Sequence, residues 1–160
     1  VHLANLGDSR AYVISNDEIR RVTKDHSLVQ NLIDKGTITE EESRTHPQKN
    51  MITKALGAAL SVESDTMRLK LASDENLLLC CDGVIAHLTD EDIHKIIIDS
   101  PDPNIACQKI VDLANERGGS DNISLIILSS ENVDVKETET IEDDQKTETI
   151  EDDQKTEIIG

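Results

Sequence analysis

The chain has 160 residues, which is enough for one domain with a modest apolar core. Its 33 acidic and 16 basic residues give a net charge of −17, which argues against binding nucleic acid or an anionic membrane through a basic face. No run of about 18 apolar residues predicts a membrane span. The three cysteines (Cys80, Cys81 and Cys107) lack the spacing of a zinc site and are typical of reduced thiols in a cytoplasmic protein.

The first 22 residues predict strands joined by tight turns. Residues 1–14 are predicted to form one strand with a break at Gly7-Asp8-Ser9-Arg10, and residues 15–18 form a hairpin turn before a return strand at 19–22. Asp8 is the first candidate metal ligand, although its local pattern by itself favours a turn or bulge residue. The chain opens in what resembles the middle of a strand, without an initiator methionine, so we expect the front of the domain to be missing.

A helical insertion is predicted between the first strands and the rest of the sheet, over residues 23–50. Ser27 can cap one helix, and Thr39 with Glu42 three residues later forms the capping box of a second helix, which His46-Pro47 ends. Insertions of this kind often border active sites. Residues 51–57 are predicted to return to the sheet.

The apolar run Leu77–Cys81 predicts a central strand that is buried on both faces. A half-exposed strand at 66–71 precedes it, and the strand delivers Asp82 and Gly83 to its carboxyl end. A carboxylate beside a glycine, which allows close approach, suits a hard metal ion. Thr89 is placed to cap the next helix.

The last ordered elements predicted are two amphipathic helices, at 91–98 and 104–117, and a buried strand at 123–128. The second helix is expected to bury Ile105, Ile110, Val111 and Ala114. The turn before the last strand carries Asp121. If this strand and the central strand are antiparallel neighbours, Asp82 and Asp121 meet at one rim of the sheet. Ordinary turn chemistry explains both short motifs as well.

Residues 130–160 differ in composition from the rest of the chain. Thr138–Lys146 (TETIEDDQK) is repeated at 147–155, and residues 131–160 hold 12 of the 33 acids and 3 of the 16 bases. A repetitive acidic segment of this kind cannot bury enough apolar area to fold, so we expect a disordered tail that either solvates the protein or binds a partner.

Six short motifs, taken together and in this order, resemble those of the metal-dependent type 2C protein serine/threonine phosphatases of bacteria. They are Gly7-Asp8-Ser9-Arg10-Ala-Tyr, Thr23-Lys-Asp25-His26-Ser-Leu-Val, Gly36-Thr-Ile-Thr-Glu-Glu with His46-Pro47, Asn50-Met-Ile-Thr-Lys-Ala-Leu-Gly57, Leu79-Cys-Cys-Asp82-Gly83 and Gly118-Gly-Ser-Asp121-Asn122-Ile. The resemblance covers residues 1–129. It implies an α+β fold, a layered α-β-β-α sandwich of two mostly antiparallel sheets that is incomplete at its amino terminus.

The resemblance also implies a site and a reaction. Asp82 and Asp121 match ligands of paired Mg²⁺ or Mn²⁺ ions, with Gly83 merely adjacent, and Asp8 matches a ligand of a third ion. Residues 23–57 match a flap beside the substrate cleft. The implied activity is hydrolysis of phosphoserine and phosphothreonine in proteins by a metal-bound hydroxide, in partnership with a cognate serine/threonine kinase.

Three positions depart mildly from the family pattern: Lys54 stands for arginine, Cys81 for serine and Ser124 for threonine. More seriously, the family's front segment, with its own metal ligands and phosphate-binding arginine, is absent. We therefore expect the isolated chain to be inactive. The alternative is a non-catalytic remnant, or a binding module that uses the acidic tail.

Overall fold

Residues 1–129 are described by a computed structural model, which contains two β-sheets and five helices in that range. The elements, in chain order, are β1 (His2–Asn5), β2 (Arg10–Ile14), β3 (Ile19–Arg21), α1 (Leu28–Asp34), α2 (Glu40–Thr45), β4 (Asp65–Arg68), β5 (Asn76–Cys80), α3 (Asp82–Ile85), α4 (Asp90–Ile98), α5 (Pro103–Glu116) and β6 (Leu125–Ser129). The acidic repeats predicted to be disordered lie outside the described residues.

The larger sheet has four antiparallel strands in the order β3-β2-β5-β6, and the smaller sheet pairs β1 with β4. The apolar run predicted as a central strand is β5, which pairs with β2 on one side and β6 on the other. Two antiparallel sheets with helices confirm the α+β sandwich predicted from the sequence.

The two faces of the larger sheet pack against different layers. Tyr12 and Leu78 point toward the helices and join a core with side chains of α3, α4 and α5. Their neighbours Val13 and Leu77 point the other way and contact apolar side chains of β1 and of the segment after β4. This alternation follows from the two-residue period of a strand.

Side-chain caps begin the helices at the predicted positions. Ser27 accepts a hydrogen bond from the backbone N–H of Gln30, and both capping boxes, Thr39 with Glu42 and Thr89 with Asp92, are present. These bonds satisfy amide groups that the first turn of a helix leaves without partners. Of the helices in residues 1–129, none combines the length and apolar character needed to cross a bilayer.

Five expectations about the elements were wrong in detail, among them the burial of the strand predicted at 123–128, since Ile126 of β6 is 57% exposed. The interruption at residues 7–10 separates strands of different sheets, because β1 pairs with β4 while β2 pairs with β3 and β5. Residues 51–57 do not rejoin a sheet: Ser27 and Ile52 make a single isolated bridge. The strand predicted at 66–71 ends at Arg68, and Ile105, expected in the core, is 45% exposed.

Candidate metal centre at one end of the larger sheet

Asp82 lies where the central strand ends. β5 stops at Cys80, and Asp82 is the first residue of the short helix α3. Its side chain is exposed. Because β5 is held on both sides by β2 and β6, the position of Asp82 is fixed by an interior strand of the sheet.

Gly83 is required by a close approach of two chain segments. A Cβ atom at this position would overlap the backbone carbonyl oxygen of Asn122. The thiol of Cys81 adds to this junction, since it donates to the Asn122 carbonyl oxygen and accepts from the Ser124 N–H, both at 3.2 Å. The turn after β5 and the turn before β6 are therefore packed directly together, with Asp82 on one and Asp121 on the other.

The Asp121 turn is anchored by His87, which follows the end of α3. The Nε2 atom of His87 lies 3.1 Å from the hydroxyl oxygen of Ser120 and accepts the Ser120 N–H at 3.3 Å. Arg117 in turn donates to the backbone carbonyl of His87 at 3.1 Å. Sequence reasoning gave His87 no role, because its partner Ser120 lies 33 residues away and no local pattern joins them.

Asp8 lies in the loop between β1 and β2 and faces the same end of the sheet. Its pKa is raised by burial and, next, by the negative charge of Asp82. The loop is held by Gly7, whose φ of +113° favours glycine. Gly7 exchanges hydrogen bonds with His26: its N–H donates to Nδ1 at 3.1 Å, and its carbonyl accepts the His26 N–H at 2.9 Å.

A buried ion pair lies next to these carboxylates. Arg10 donates from Nε to both carboxylate oxygens of Asp25, at 3.1 and 3.0 Å, and from Nη2 to one of them at 2.7 Å. The Asp25 side chain is only 7% exposed, so the pair fixes the base of the flap, residues 23–57, against β2. The sequence identified this motif only through the family resemblance and gave neither residue a function.

These side chains line one cleft of about 390 Å³. Asp8, Asp82, Gly83 and Asp121, the four residues proposed from the sequence, all contribute to its wall. The remaining lining side chains are Arg10, Asp25, Ser27, Val29, Ser43, Arg44, Lys49, Asn50, Ile85, Ala86 and Ser120. The acidic groups come from three separate points of the chain and meet at one rim of the larger sheet.

The carboxylates have the chemistry that a hard divalent cation needs, because Mg²⁺ and Mn²⁺ prefer carboxylate and water oxygens. Within residues 1–129, however, no three His, Cys, Asp or Glu side chains are close enough to form a metal cluster by themselves. Among the described residues, the aspartates of the cleft therefore do not form a complete metal site by themselves.

Comparison with known proteins identifies relatives of this arrangement. Residues 54–123 match the family described as Protein phosphatase 2C. The serine/threonine phosphatase stp of Listeria innocua is 36% identical over 128 residues, which are 80% of this chain and 51% of that protein. The serine/threonine protein phosphatase PstP of Mycobacterium tuberculosis is 34% identical over 139 residues, 87% of this chain and 27% of that protein.

Solved structures agree with the sequence relatives. The crystal structure of the Mycobacterium tuberculosis phosphatase PstP/Ppp matches with a TM-score of 0.76 at 33% identity, over 81% of this chain and 55% of that one. A PstP catalytic domain in complex with two manganese ions matches with a TM-score of 0.70 at 29% identity, over 79% of this chain and 51% of that one. The chain spans about half the length of the Listeria relative. By sequence and by fold, the chain is similar to serine/threonine phosphatases of the family described as Protein phosphatase 2C, over about half of their length.

Proposed function

We propose that the chain is part of a metal-dependent phosphatase that hydrolyses phosphoserine and phosphothreonine in proteins. The observation that carries this proposal is the meeting of Asp8, Asp82 and Asp121 on the wall of one cleft. These three carboxylates come from separate loops and line one opening, where a divalent cation would offset their shared negative charge.

The three aspartates are the proposed ligands of Mg²⁺ or Mn²⁺. Burial and, next, the negative charge of Asp82 raise the pKa of Asp8, so these two carboxylates lie close enough to interact. The related PstP domain is described in complex with two manganese ions, which supports the same class of metal here. When bound, such ions lower the pKa of a water molecule and neutralise charge on a phosphoryl group.

The chain's own residues would position this chemistry. Gly83 allows the Asn122 carbonyl to approach, which brings the Asp82 and Asp121 turns together. His87 holds the Asp121 turn through Ser120, and the Arg10–Asp25 ion pair fixes the flap beside the cleft. None of these groups needs to act as a nucleophile, so no cysteine or serine attack is proposed.

Binding of Mn²⁺ tests the metal proposal directly. Titration of the full 160-residue chain, followed by electron paramagnetic resonance of free Mn²⁺, is compared with Asp82→Asn and Asp121→Asn. Each substitution should weaken binding by at least the roughly 10-fold typical for lost support of a metal ligand. Asp17→Asn is the matched control, since Asp17 lies in the β2–β3 turn at the opposite end of the sheet.

Equal Mn²⁺ affinity in all four proteins would contradict the proposal and favour the alternative, a non-catalytic binding module. Because the described aspartates are a partial ligand set, we expect this chain alone to hydrolyse p-nitrophenyl phosphate with Mn²⁺ no faster than its Asp82→Ala variant. The opposing kinase, a signalling role and the cytoplasmic location stay predictions from the sequence.

A further inference from the structure

The charges around the cleft divide into two sides. Asp8, Asp82 and Asp121 form the acidic side, and Arg10 is neutralised by its ion pair with Asp25. The remaining cations of the lining are Arg44 and Lys49, which both belong to the flap. We propose that Arg44 and Lys49, here called the cationic wall, bind acidic residues that flank the phosphorylated residue of a peptide.

The cationic wall is built on an anchored part of the flap. Arg44 lies in the last turn of α2, and Lys49 lies in the turn that follows, where its N–H donates to the carbonyl of His46 at 3.1 Å. The end of that turn is joined to α1, because the Leu28 N–H donates to the Met51 carbonyl at 2.8 Å. Backbone bonds therefore hold both residues beside the cleft.

Both side chains are available to a ligand. Arg44 and Lys49 are exposed, and neither lies within ion-pair distance of a carboxylate in residues 1–129. The positive charge of Arg44 acts on Glu91, but only weakly. The pKa of Glu91 is lowered mainly by a hydrogen bond to its own backbone, and Arg44 adds little to this. By contrast, Lys24, Lys54 and Arg117 are each committed to a carboxylate.

The chemistry of the wall selects the ligand class. A guanidinium and an ammonium group favour carboxylates or phosphates, whereas the net charge of −17 disfavours an acidic peptide on the molecule as a whole. This inference rests on the proposed phosphatase function for the phosphorylated residue itself. The cationic wall adds a preference for acidic residues next to the phosphorylated residue, and salt should weaken this preference because it screens the charges.

Two sources could supply such a peptide. One is a separate phosphoprotein; the other is this chain, whose repeats Thr138–Lys146 and 147–155 place threonines beside glutamates. Ser129 ends β6 at the far end of the sheet from the cleft, since Leu125 pairs with Cys80 and Ser129 with Asn76. A strand of five residues is about 17 Å long, and the nine residues from Ser129 to Thr138 can span about 30 Å, so the first repeat is long enough to reach the cleft.

The test measures peptide binding by fluorescence anisotropy with the full chain. Three phosphothreonine peptides differ only in their flanking residues, which are Glu/Asp, Gln/Asn or Lys. The acidic peptide should bind most tightly. Arg44→Gln and Lys49→Gln should each weaken it about three-fold, and the double substitution about ten-fold, as expected for partly exposed charge pairs. The peptide with neutral flanks should change little.

Lys70→Gln is the matched control, because Lys70 is exposed and lines a different groove. The proposal is overturned if the double substitution leaves acidic-peptide affinity unchanged, if Lys70→Gln weakens it equally, or if acidic flanks give no advantage over neutral ones. Repeating the titrations with Mn²⁺ and with Asp82→Asn keeps the two proposals separate: failure of the metal proposal removes the Mn²⁺ effect and leaves the preference for acidic flanks intact.

A chain that ends at Ser130 identifies the source of the peptide. A tethered segment competes at an effective concentration on the order of millimolar. If the tail occupies the cationic wall, its removal should tighten binding of the acidic peptide, and the gain should disappear in the double variant. Unchanged affinity would assign the wall to separate phosphoproteins.

Discussion

The two faces of the larger sheet are built from the same strands but are covered to different extents. On the face toward the helices, 11 buried residues form one core. On the opposite face, the only buried apolar residues within 1–129 are Ala11, Val13 and Leu77, while Ile126 and Leu128 of β6 are 57% and 47% exposed. Alternation along a strand assigns side chains to a face, but burial depends on the layer that covers that face.

Open grooves mark the less covered face. One, of about 770 Å³, lies between the end of β4 and β6 and is lined by Leu69, Leu71 and Leu128 among others. A second, of about 330 Å³, is lined by Leu3, Leu79 and Ile126 among others. The two-stranded sheet therefore covers β2 and part of β5 but leaves β6 open. We infer that the folding free energy comes mainly from the helix-facing core.

The largest expected difference comes from removing one isoleucine from each face. Ile110 of α5 is fully buried in the helix-facing core, so Ile110→Ala should lower the free energy of unfolding by about 3–4 kcal/mol. Ile126→Ala on the open face should cost less than about 1 kcal/mol, because most of the lost side chain is already in contact with water. Urea unfolding followed by circular dichroism measures both values, and equal losses would show that the open face is packed in solution.

Alkaline pH should weaken the same core. Burial raises the pKa of Tyr12 to about 12 and that of Cys80 to about 12, so both groups keep their protons longer in the folded than in the unfolded chain. Between the unfolded and folded pKa values the folded state binds more protons, and the free energy of unfolding falls as pH rises. Tyr12 alone should account for about 2–3 kcal/mol of this loss, at roughly 1.4 kcal/mol per unit of pKa.

Urea titrations at increasing pH, from the ordinary pKa of tyrosine to that of Tyr12 in the fold, measure this loss. Tyr12→Phe keeps the ring in the core but removes the ionisable hydroxyl, so it should flatten the dependence on pH. It should also cost some stability at neutral pH, because the hydroxyl accepts from Arg10 and donates to Asp90, each at 3.3 Å. An equally steep decline in Tyr12→Phe would rule out Tyr12 as its source.

Local sequence signals predicted the elements better than their partners. The caps at Ser27, Thr39 and Thr89 were predicted correctly, since each bond reaches only three residues along the chain. The separation of β1 from β2 was not predicted, because pairing of β1 with β4 joins residues about 60 positions apart. No local pattern contains that information.

At the candidate site, too, local sequence signals predicted the residues but not the distant contacts that support them. Asp8, Asp82, Gly83 and Asp121 were proposed as a metal site from short motifs and a family resemblance, and all four line one cleft. Their supports were not found from the sequence. His87 acts on the Asp121 turn through Ser120, and the carbonyl of Asn122 leaves no room for a side chain at residue 83; both depend on contacts between segments more than 30 residues apart.

The two capping boxes test whether the contribution of an N-cap to the free energy of unfolding depends on how well its helix is packed. Thr89 caps α4, which buries Ile93 and Ile97, whereas Thr39 caps α2, which buries no residue. Loss of an N-cap costs about 1 kcal/mol in a helix that unfolds with the core. Thr89→Ala should therefore lower the free energy of global unfolding by about that amount.

Thr39→Ala makes the matched control with the same motif. It should leave the free energy of global unfolding unchanged and instead speed amide hydrogen exchange within α2, because a helix without buried contacts opens locally. If Thr39→Ala shifted the global transition as much as Thr89→Ala, the flap would have to unfold together with the helix-facing core.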